Sequence, residues 1–219
     1  MKRAFLFTNS PCKVEIKEII TQEDYIVGVD GGINTLEKIN LTPHVIIGDF
    51  DSADKNNRFL NTTIAKISHD PHKDYTDTEL AINYVLDKKL DQIIIVNNMQ
   101  ERIDHVLGVL ASLRRLHRKG IRACVIGDKQ LFMILDQEVS LTLAKDSIIS
   151  LIPLSDTVEG IFTHGLLYPL NNGTLLCDRA LGVSNVVCEE QITIKHDSGE
   201  LLLIVNYQEY NGIHRIINS

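Results

Sequence analysis

The length and composition of the chain are those of an ordinary globular protein. It has 219 residues, of which 44% are hydrophobic and 23% are charged, and this balance excludes disordered and collagen-like architectures. Its 22 basic and 29 acidic residues give a net charge of −7, so we expect no nucleic-acid partner. The longest aliphatic runs, Ile93–Val96 and Leu201–Val205, are much shorter than the roughly 20 residues of a membrane span.

The N-terminal residues and the cysteines indicate a cytoplasmic protein. Only Ala4–Phe7 separate the basic pair Lys2 and Arg3 from a polar stretch, and this apolar segment is too short for a signal peptide. The four cysteines have neither a CxxC spacing nor the spacing of a zinc site. We therefore predict free thiols.

The first part of the sequence alternates short β-branched runs with helical patterns. The capping-box sequence Thr76-Asp77-Thr78-Glu79 begins one helix, and a second helix begins near Arg102 and ends at Gly120. Its apolar residues start with Ile103 and Leu107 at helical spacing. Alternation of this kind favours a parallel, doubly wound α/β sheet. The predicted strands are Ala4–Thr8, Tyr25–Val29, Val45–Ile47, Ile64–Ser68, Gln92–Asn97 and Ala123–Ile126.

From about Gln137 onward the pattern changes to short strands separated by turn-rich stretches, without a helical period. We predict that His196–Glu200 forms a hairpin loop between the last two strands. The sequence thus divides into an α/β domain over residues 1–135 and an antiparallel β domain over residues 136–219. The strand candidates of the second domain are Val139–Leu143, Ile148–Ile152, Gln191–Lys195 and Leu201–Val205.

Acidic residues follow four successive predicted strands of the α/β domain. Because ligands bind outside the carboxyl ends of the strands in open α/β sheets, we expect these side chains along one edge of the sheet. Carboxylates held close together repel one another, and Mg²⁺ is a cation that prefers such ligands together with substrate phosphates. The residues are Asp30, Asp49, Asp51, Asp74, Asp77 and Asp104.

Residues suited to binding phosphate stand beside these carboxylates. Gly31 and Gly32 precede a helix and would let backbone N–H groups approach an anion, while Lys73 and Arg102 would neutralise phosphate oxygens. Singly, such residues are explained by helix capping or a tight turn. Their coincidence at one end of consecutive strands predicts metal-assisted phosphoryl or diphosphoryl transfer.

At these positions the sequence resembles the thiamine pyrophosphokinase (thiamine diphosphokinase) family. The resemblance implies an α/β nucleotide-binding domain followed by a β-sandwich, assembled as a homodimer. It also implies transfer of the diphosphate of ATP to thiamine, giving thiamine diphosphate and AMP. The matching motifs follow the family's order through most of the chain: Asp30-Gly31-Gly32, Gly48-Asp49-Phe50-Asp51-Ser52, Lys73-Asp74-Tyr75-Thr76-Asp77, Arg102-Ile103-Asp104-His105 and Gly182-Val183-Ser184-Asn185.

The resemblance also assigns roles to individual residues. By this assignment Ser184 and Asn185 contact thiamine at the homodimer interface. The ATP-binding residues are Asp30, Gly31, Gly32, Lys73, Asp74, Thr76, Arg102 and His105. The catalytic residues are Asp51, Asp77, Arg102 and Asp104, and the Mg²⁺ ligands are Asp49, Asp51, Asp77 and Asp104.

Two departures from the family pattern leave other functions open. Asn97-Asn98-Met99-Gln100-Glu101 stands where the family has glycines, and the chain contains no tryptophan to pack against the thiamine ring. One alternative is a diphosphokinase for another hydroxyalkyl heterocycle, such as a pterin. Another is a non-catalytic module that binds thiamine diphosphate or a nucleotide. A phosphatase of the haloacid-dehalogenase type is disfavoured, because Ala53 stands where that family has Thr or Val.

Overall fold

The computed structural model describes residues 2–10, 16–68, 75–100 and 102–207. The chain divides into two compact units, Met1–Asp128 and Lys129–Ser219. The functional boundary between residues 135 and 136 stays a prediction. Within the described residues, no helix is both long enough and apolar enough to cross a bilayer.

The first unit is built on a parallel sheet. Its strands lie in the order β6-β5-β1-β2-β3-β4, and each neighbouring pair is parallel. The strand order reverses at β1, which lies between β5 and β2, so the sheet has the topological switch point at which such folds bind ligands. The strands are β1 (Arg3–Phe7), β2 (Tyr25–Val29), β3 (Val45–Ile47), β4 (Ala65–Ile67), β5 (Gln92–Val96) and β6 (Arg122–Ile126).

Three α-helices connect strands of this sheet among the described residues: α1 (Gly32–Lys38), α2 (Asp77–Leu86) and α3 (Ile103–Arg118). The predicted capping box of α2 is present, since the hydroxyl of Thr76 accepts from Glu79 N and the Glu79 carboxylate accepts from Thr76 N. This arrangement satisfies two backbone donors that the first turn leaves unpaired. Short 3-10 turns occupy Ile16–Glu18 and Arg58–Asn61.

Helix α3 differs from its predicted packing. Its buried positions are Val109, Ser112, Leu113 and Leu116, whereas Ile103 and Leu107, which begin the predicted apolar stripe, are exposed. Helical spacing fixes which residues share a face but not which face packs against the sheet, since two overlapping apolar faces occur on this helix.

The strands of the second unit pair antiparallel in two groups, so the predicted fold class is confirmed. One has the order β12-β9-β14-β7 and the other β11-β10-β13-β8. Because β13 and β14 lie in different sheets, His196–Glu200 connects the sheets, and the predicted hairpin is wrong. The strands are β7 (Gln130–Ile134), β8 (Glu138–Thr142), β9 (Ile148–Pro153), β10 (Thr157–His164), β11 (Gly173–Leu176), β12 (Asn185–Val186), β13 (Gln191–Lys195) and β14 (Leu201–Asn206).

Candidate active site

A cavity of about 780 Å³ lies at the carboxyl ends of the parallel strands of the first unit. Residues that follow β1, β2, β3 and β5 line it, together with the first turns of α2 and α3. The structure thus brings together most of the residues that the sequence assigns to ATP, the metal or catalysis. These are Asp30, Asp49, Asp51, Thr76, Asp77, Arg102, Asp104 and His105. Lys73 and Asp74 lie outside the described residues.

Asp30 is the most deeply buried of the cavity's carboxylates. It is 9% exposed, and its Oδ1 has no hydrogen-bond partner among the described residues. Burial raises the pKa of Asp30, and the charges of Asp51 and Asp77 add to this, while hydrogen bonds from Gly31 and Ser52 oppose it. A buried carboxylate oxygen without a partner destabilises the folded protein unless a cation or a hydrogen-bond donor contacts it.

Asp30, Asp49 and Asp51 form an acidic cluster. One carboxylate oxygen from each lies within 4.8 Å of the others. The loop after β3 creates this arrangement: Asp49 Oδ1 accepts from Asp51 N at 3.2 Å, and the Ser52 hydroxyl donates to Asp51 Oδ1 at 2.9 Å. The resemblance assigns Asp30 to ATP binding rather than to the metal, and the cluster adds Asp30 to the residues that could hold a metal ion.

Arg102 and Asp104 form a bidentate pair at the start of α3. Arg102 Nε donates to Asp104 Oδ1 at 3.2 Å and Arg102 Nη2 donates to Asp104 Oδ2 at 2.6 Å. The exposed guanidinium lowers the pKa of Asp104, and the carboxylate raises the pKa of Arg102. Arg102 is therefore oriented at the cavity wall by the aspartate two residues later.

Gly31 and Gly32 are required by packing. A Cβ atom on Gly32 would lie 1.8 Å from the carbonyl oxygen of Phe7, and one on Gly31 would lie 2.1 Å from Asn9 Oδ1. Helix α1 thus begins directly against the end of β1, where no side chain fits. This close approach explains both glycines without a bound anion, and neither lines the cavity.

Thr8 and Asn97 also line the cavity, although no motif in the sequence indicates them as site residues. The Asn97 amide donates to the Thr8 hydroxyl at 2.9 Å, and that hydroxyl donates to Val96 O at 3.0 Å. Both residues directly follow strands that flank the switch point, β1 and β5. This position in the sequence could have identified them as site residues.

Ser184 and Asn185 belong to the second unit. Ser184 has a φ of 61°, and its N–H donates to Ser150 Oγ at 3.1 Å. The Asn185 side chain is engaged by the protein itself: Oδ1 accepts from Tyr168 N at 3.0 Å and from Val186 N at 2.9 Å, and Nδ2 donates to Tyr168 O at 2.7 Å.

Two family descriptions match successive parts of the chain. Residues 16–125 match "Thiamin pyrophosphokinase, catalytic domain", and residues 135–201 match "Thiamin pyrophosphokinase, vitamin B1 binding domain". The first match contains every described cavity residue from Val29 to Val109. The second contains Tyr168, Ser184 and Asn185.

Individual proteins are similar over most of the chain. It is 31% identical over 183 residues to Thiamine pyrophosphokinase of Bacillus subtilis, covering 81% of this chain and 85% of that protein. It is 27% identical over 208 residues to Thiamin pyrophosphokinase 1 of Caenorhabditis elegans, covering 88% and 82%.

Solved structures have the same fold. The crystal structure of thiamine pyrophosphokinase from Bacillus subtilis superposes with a TM-score of 0.86 at 24% identity, covering 95% of this chain and 100% of that one. The Candida albicans structure gives a TM-score of 0.80 at 15% identity, covering 94% and 89%.

Proposed function

The chain belongs to the thiamin pyrophosphokinase family, and we propose that the cavity of its first unit is where it transfers the diphosphate of ATP to thiamine, giving thiamine diphosphate and AMP. The observation that carries this proposal is that five aspartates and Arg102 line one cavity at the carboxyl ends of the parallel strands. Such an acidic cavity suits a metal-bound nucleotide, and it also suits thiamine, because the thiamine ring is a cation.

Mg²⁺ is the metal that we propose for this cavity. Mg²⁺ fits this cavity because Asp30, Asp49 and Asp51 offer only carboxylate oxygens as ligands. In addition, the buried Oδ1 of Asp30 has no hydrogen-bond partner among the described residues. These three residues would hold the ion, whereas Asp77 and Asp104, which the resemblance also names as ligands, line the same cavity outside this cluster. When bound, the ion offsets negative charge on the phosphate oxygens.

The transfer forms one bond and breaks another. The hydroxyl oxygen of thiamine bonds to the β-phosphorus of ATP, while the bond from that phosphorus to the oxygen bridging the α- and β-phosphates breaks and AMP leaves. The hydroxyl proton passes to a carboxylate of the cavity that does not hold the ion, for which we propose Asp77, since it stands outside the cluster of Asp30, Asp49 and Asp51. Asp104 is the weaker base because Arg102 lowers its pKa.

Arg102 faces the phosphates in this proposal. Its guanidinium is exposed at the cavity wall and is oriented by Asp104, so it can bind phosphate oxygens in a bidentate manner. The resemblance also assigns Gly31, Gly32, Lys73, Asp74, Thr76 and His105 to ATP, and Thr76 and His105 line the cavity with Arg102.

The proposal includes a cytoplasmic homodimer in which thiamine binds at the interface between subunits, near Ser184 and Asn185. Two observations support it. Ile103 and Leu107 are exposed apolar residues on the helix whose first turn lines the cavity, and such residues favour a protein contact. Cys124, Cys177 and Cys188 are free thiols, as expected in a reducing compartment.

Product analysis tests the reaction. Purified protein is incubated with ATP, Mg²⁺ and thiamine, and the nucleotide and thiamine products are separated. We expect AMP and thiamine diphosphate in equal amounts. ADP with thiamine monophosphate would contradict diphosphate transfer. Asp51→Asn should lower turnover at least about a hundredfold without unfolding the protein, whereas Asp87→Asn, at the exposed end of α2, should leave turnover unchanged.

A further inference from the structure

Gly108 lies inside helix α3, where glycine is an unfavourable residue. The helix spans Ile103–Arg118, so Gly108 is in its second turn, and it is exposed. A glycine at an exposed position inside a helix lowers the stability of the fold relative to alanine, because glycine loses more backbone freedom on folding. The presence of glycine here therefore needs a cause in its surroundings.

The contacts within the chain do not supply that cause. A Cβ atom on Gly108 would have no atom within 4 Å, apart from its chain neighbours and its own helix backbone. Every other glycine that the structure describes has either a positive φ or an atom within 3.2 Å of such a Cβ. Among the described glycines, Gly108 is thus the one that neither backbone conformation nor packing requires.

The open space beside Gly108 belongs to the cavity of the first unit. Gly108 lines that cavity, together with Asp104, His105 and Val109 of the same helix. Residues four apart lie on the same face of a helix, so Gly108 is one turn beyond Asp104 along the cavity wall. Because Gly108 has no side chain, the backbone of α3 is open to a ligand at this point.

A side chain at position 108 would point towards the first turn of α3. In a helix the Cα–Cβ bond tilts towards the N-terminus, so a methyl group on Gly108 would extend towards the turn that carries Asp104. The carboxylate of Asp104 pairs there with Arg102, which is exposed and lines the cavity. In the proposed function this guanidinium faces the phosphates of ATP. The substrate next to Gly108 is therefore the nucleotide.

We propose that Gly108 is a specificity-determining residue for ATP: its missing side chain leaves the space in which the nucleotide binds against the backbone of α3. This inference rests on the proposed function, since it concerns the donor substrate of the same cavity. It has a consequence for stability. A side chain at this position would stabilise the helix but would occupy the space that ATP needs, so stability and ATP binding should change in opposite directions.

Two substitutions fill this space to different extents. Gly108→Ala adds one methyl group and Gly108→Leu adds a longer side chain, and both new residues favour a helix more than glycine does. We expect Gly108→Ala to raise the melting temperature by about 2 °C. Its KM for ATP should rise about tenfold, while its KM for thiamine stays within about twofold. Gly108→Leu should be at least as stable as the unmodified protein and should not saturate with ATP.

Ala111→Gly is the matched control on the same helix. Ala111 is exposed and is not among the residues that line the cavity. Glycine at this position should lower the melting temperature by about 2 °C and leave both KM values unchanged. Equilibrium dialysis with labelled ATP and Mg²⁺, without thiamine, should show affinity falling from the unmodified protein to Gly108→Ala and then to Gly108→Leu.

Three results would overturn the role of Gly108. An unchanged KM for ATP in both variants would show that ATP does not occupy the space, and a selective rise in the KM for thiamine would assign the space to the acceptor. A change in the molecular mass of Gly108→Ala in solution would identify a subunit contact instead. Failure of the proposed function is distinguishable, because the unmodified protein would then form no thiamine diphosphate, whereas dialysis would still measure ATP binding.

Discussion

The side-chain oxygen of Asn97 accepts a hydrogen bond of 2.7 Å from the backbone N–H of Met99. Met99 has a φ of 54°, a left-handed conformation that glycine adopts freely and other residues adopt at a cost of roughly 1 kcal/mol. Asn98, the residue between them, donates to the Asp128 carboxylate at 2.9 Å. Side-chain hydrogen bonds thus hold the loop after β5 in a conformation suited to glycine.

Replacing Met99 tests this account. We expect Met99→Gly to raise the free energy of unfolding by about 0.5–1 kcal/mol relative to Met99→Ala, because both remove the side chain and only glycine relieves the left-handed strain. Urea unfolding of the two variants measures the difference. Equal stability would show that the turn stores no strain. Asn97→Ala should be less stable than the unmodified protein by about 1–2 kcal/mol.

Asp30 should control the response of the protein to Mg²⁺. A ligand that binds only the folded state raises the melting temperature, so we expect Mg²⁺ to raise it in the unmodified protein and to have little effect on Asp30→Asn. In EDTA the variant should be at least as stable as the unmodified protein, since it removes a buried charge. Asp87→Asn is the control. A full Mg²⁺ shift in Asp30→Asn would exclude Asp30 as a ligand.

Much of the fold was predictable because the relevant signals are local. The parallel strands of the first unit are short apolar runs, and the start of α2 is specified by Thr76 and Glu79 alone. The partner of a strand in the second unit is not a local property. β13 pairs with β8 and β10, while β14 pairs with β7 and β9, and nothing in the residues between them indicates that the chain changes sheets.

The candidate site was predictable to the level of a sheet edge. The carboxyl ends of parallel strands lie at the same edge of a sheet. Asp30, Asp49 and Asp51 directly follow such strands, and they therefore line one cavity. Which carboxylates approach one another depends on backbone angles that the sequence pattern does not specify, such as a φ of 62° at Phe50. A Cβ atom on Gly48 would lie 3.1 Å from Asp30, so this glycine permits the loop to approach it.

Arg102 should affect ATP rather than thiamine. Lysine keeps the charge but cannot form the bidentate pair with Asp104. We therefore expect Arg102→Lys to raise the KM for ATP or lower kcat by about tenfold, with the KM for thiamine unchanged. Steady-state kinetics with each substrate varied in turn measures this. Arg118→Lys, at the other end of α3, is the matched control. A selective loss of thiamine affinity would place Arg102 at the acceptor instead.

The described cysteines should differ in reactivity. Burial raises the pKa of the Cys124 thiol to about 12, so at pH 8 it is almost wholly protonated, and the thiolate is the reactive form. Cys177 and Cys188 are exposed. With iodoacetamide at pH 8, followed by peptide mapping, we expect Cys177 and Cys188 to be labelled in the folded protein and Cys124 only in urea. Rapid labelling of native Cys124 would contradict its burial.

Arg3 and Asp24 form a buried ion pair in the first unit. Arg3 Nη2 lies 2.6 Å from Asp24 Oδ2, and the two side chains are 5% and 1% exposed. Arg3 Nη2 also donates to Ile19 O, and Asp24 Oδ2 also accepts from Thr21 N. Both charges are therefore hydrogen-bonded beyond their mutual contact, as a buried pair requires.

Removing one partner should cost far more than removing both. Asp24→Asn leaves the Arg3 charge buried without its counterion, so we expect the free energy of unfolding to fall by about 3–5 kcal/mol. Arg3→Met/Asp24→Leu removes both charges and keeps apolar volume, and it should recover much of that loss. Urea unfolding of the single and double variants provides the comparison. If the double variant were as unstable as Asp24→Asn, the pair would stabilise the fold through its hydrogen bonds to Ile19 and Thr21 rather than through charge neutralisation.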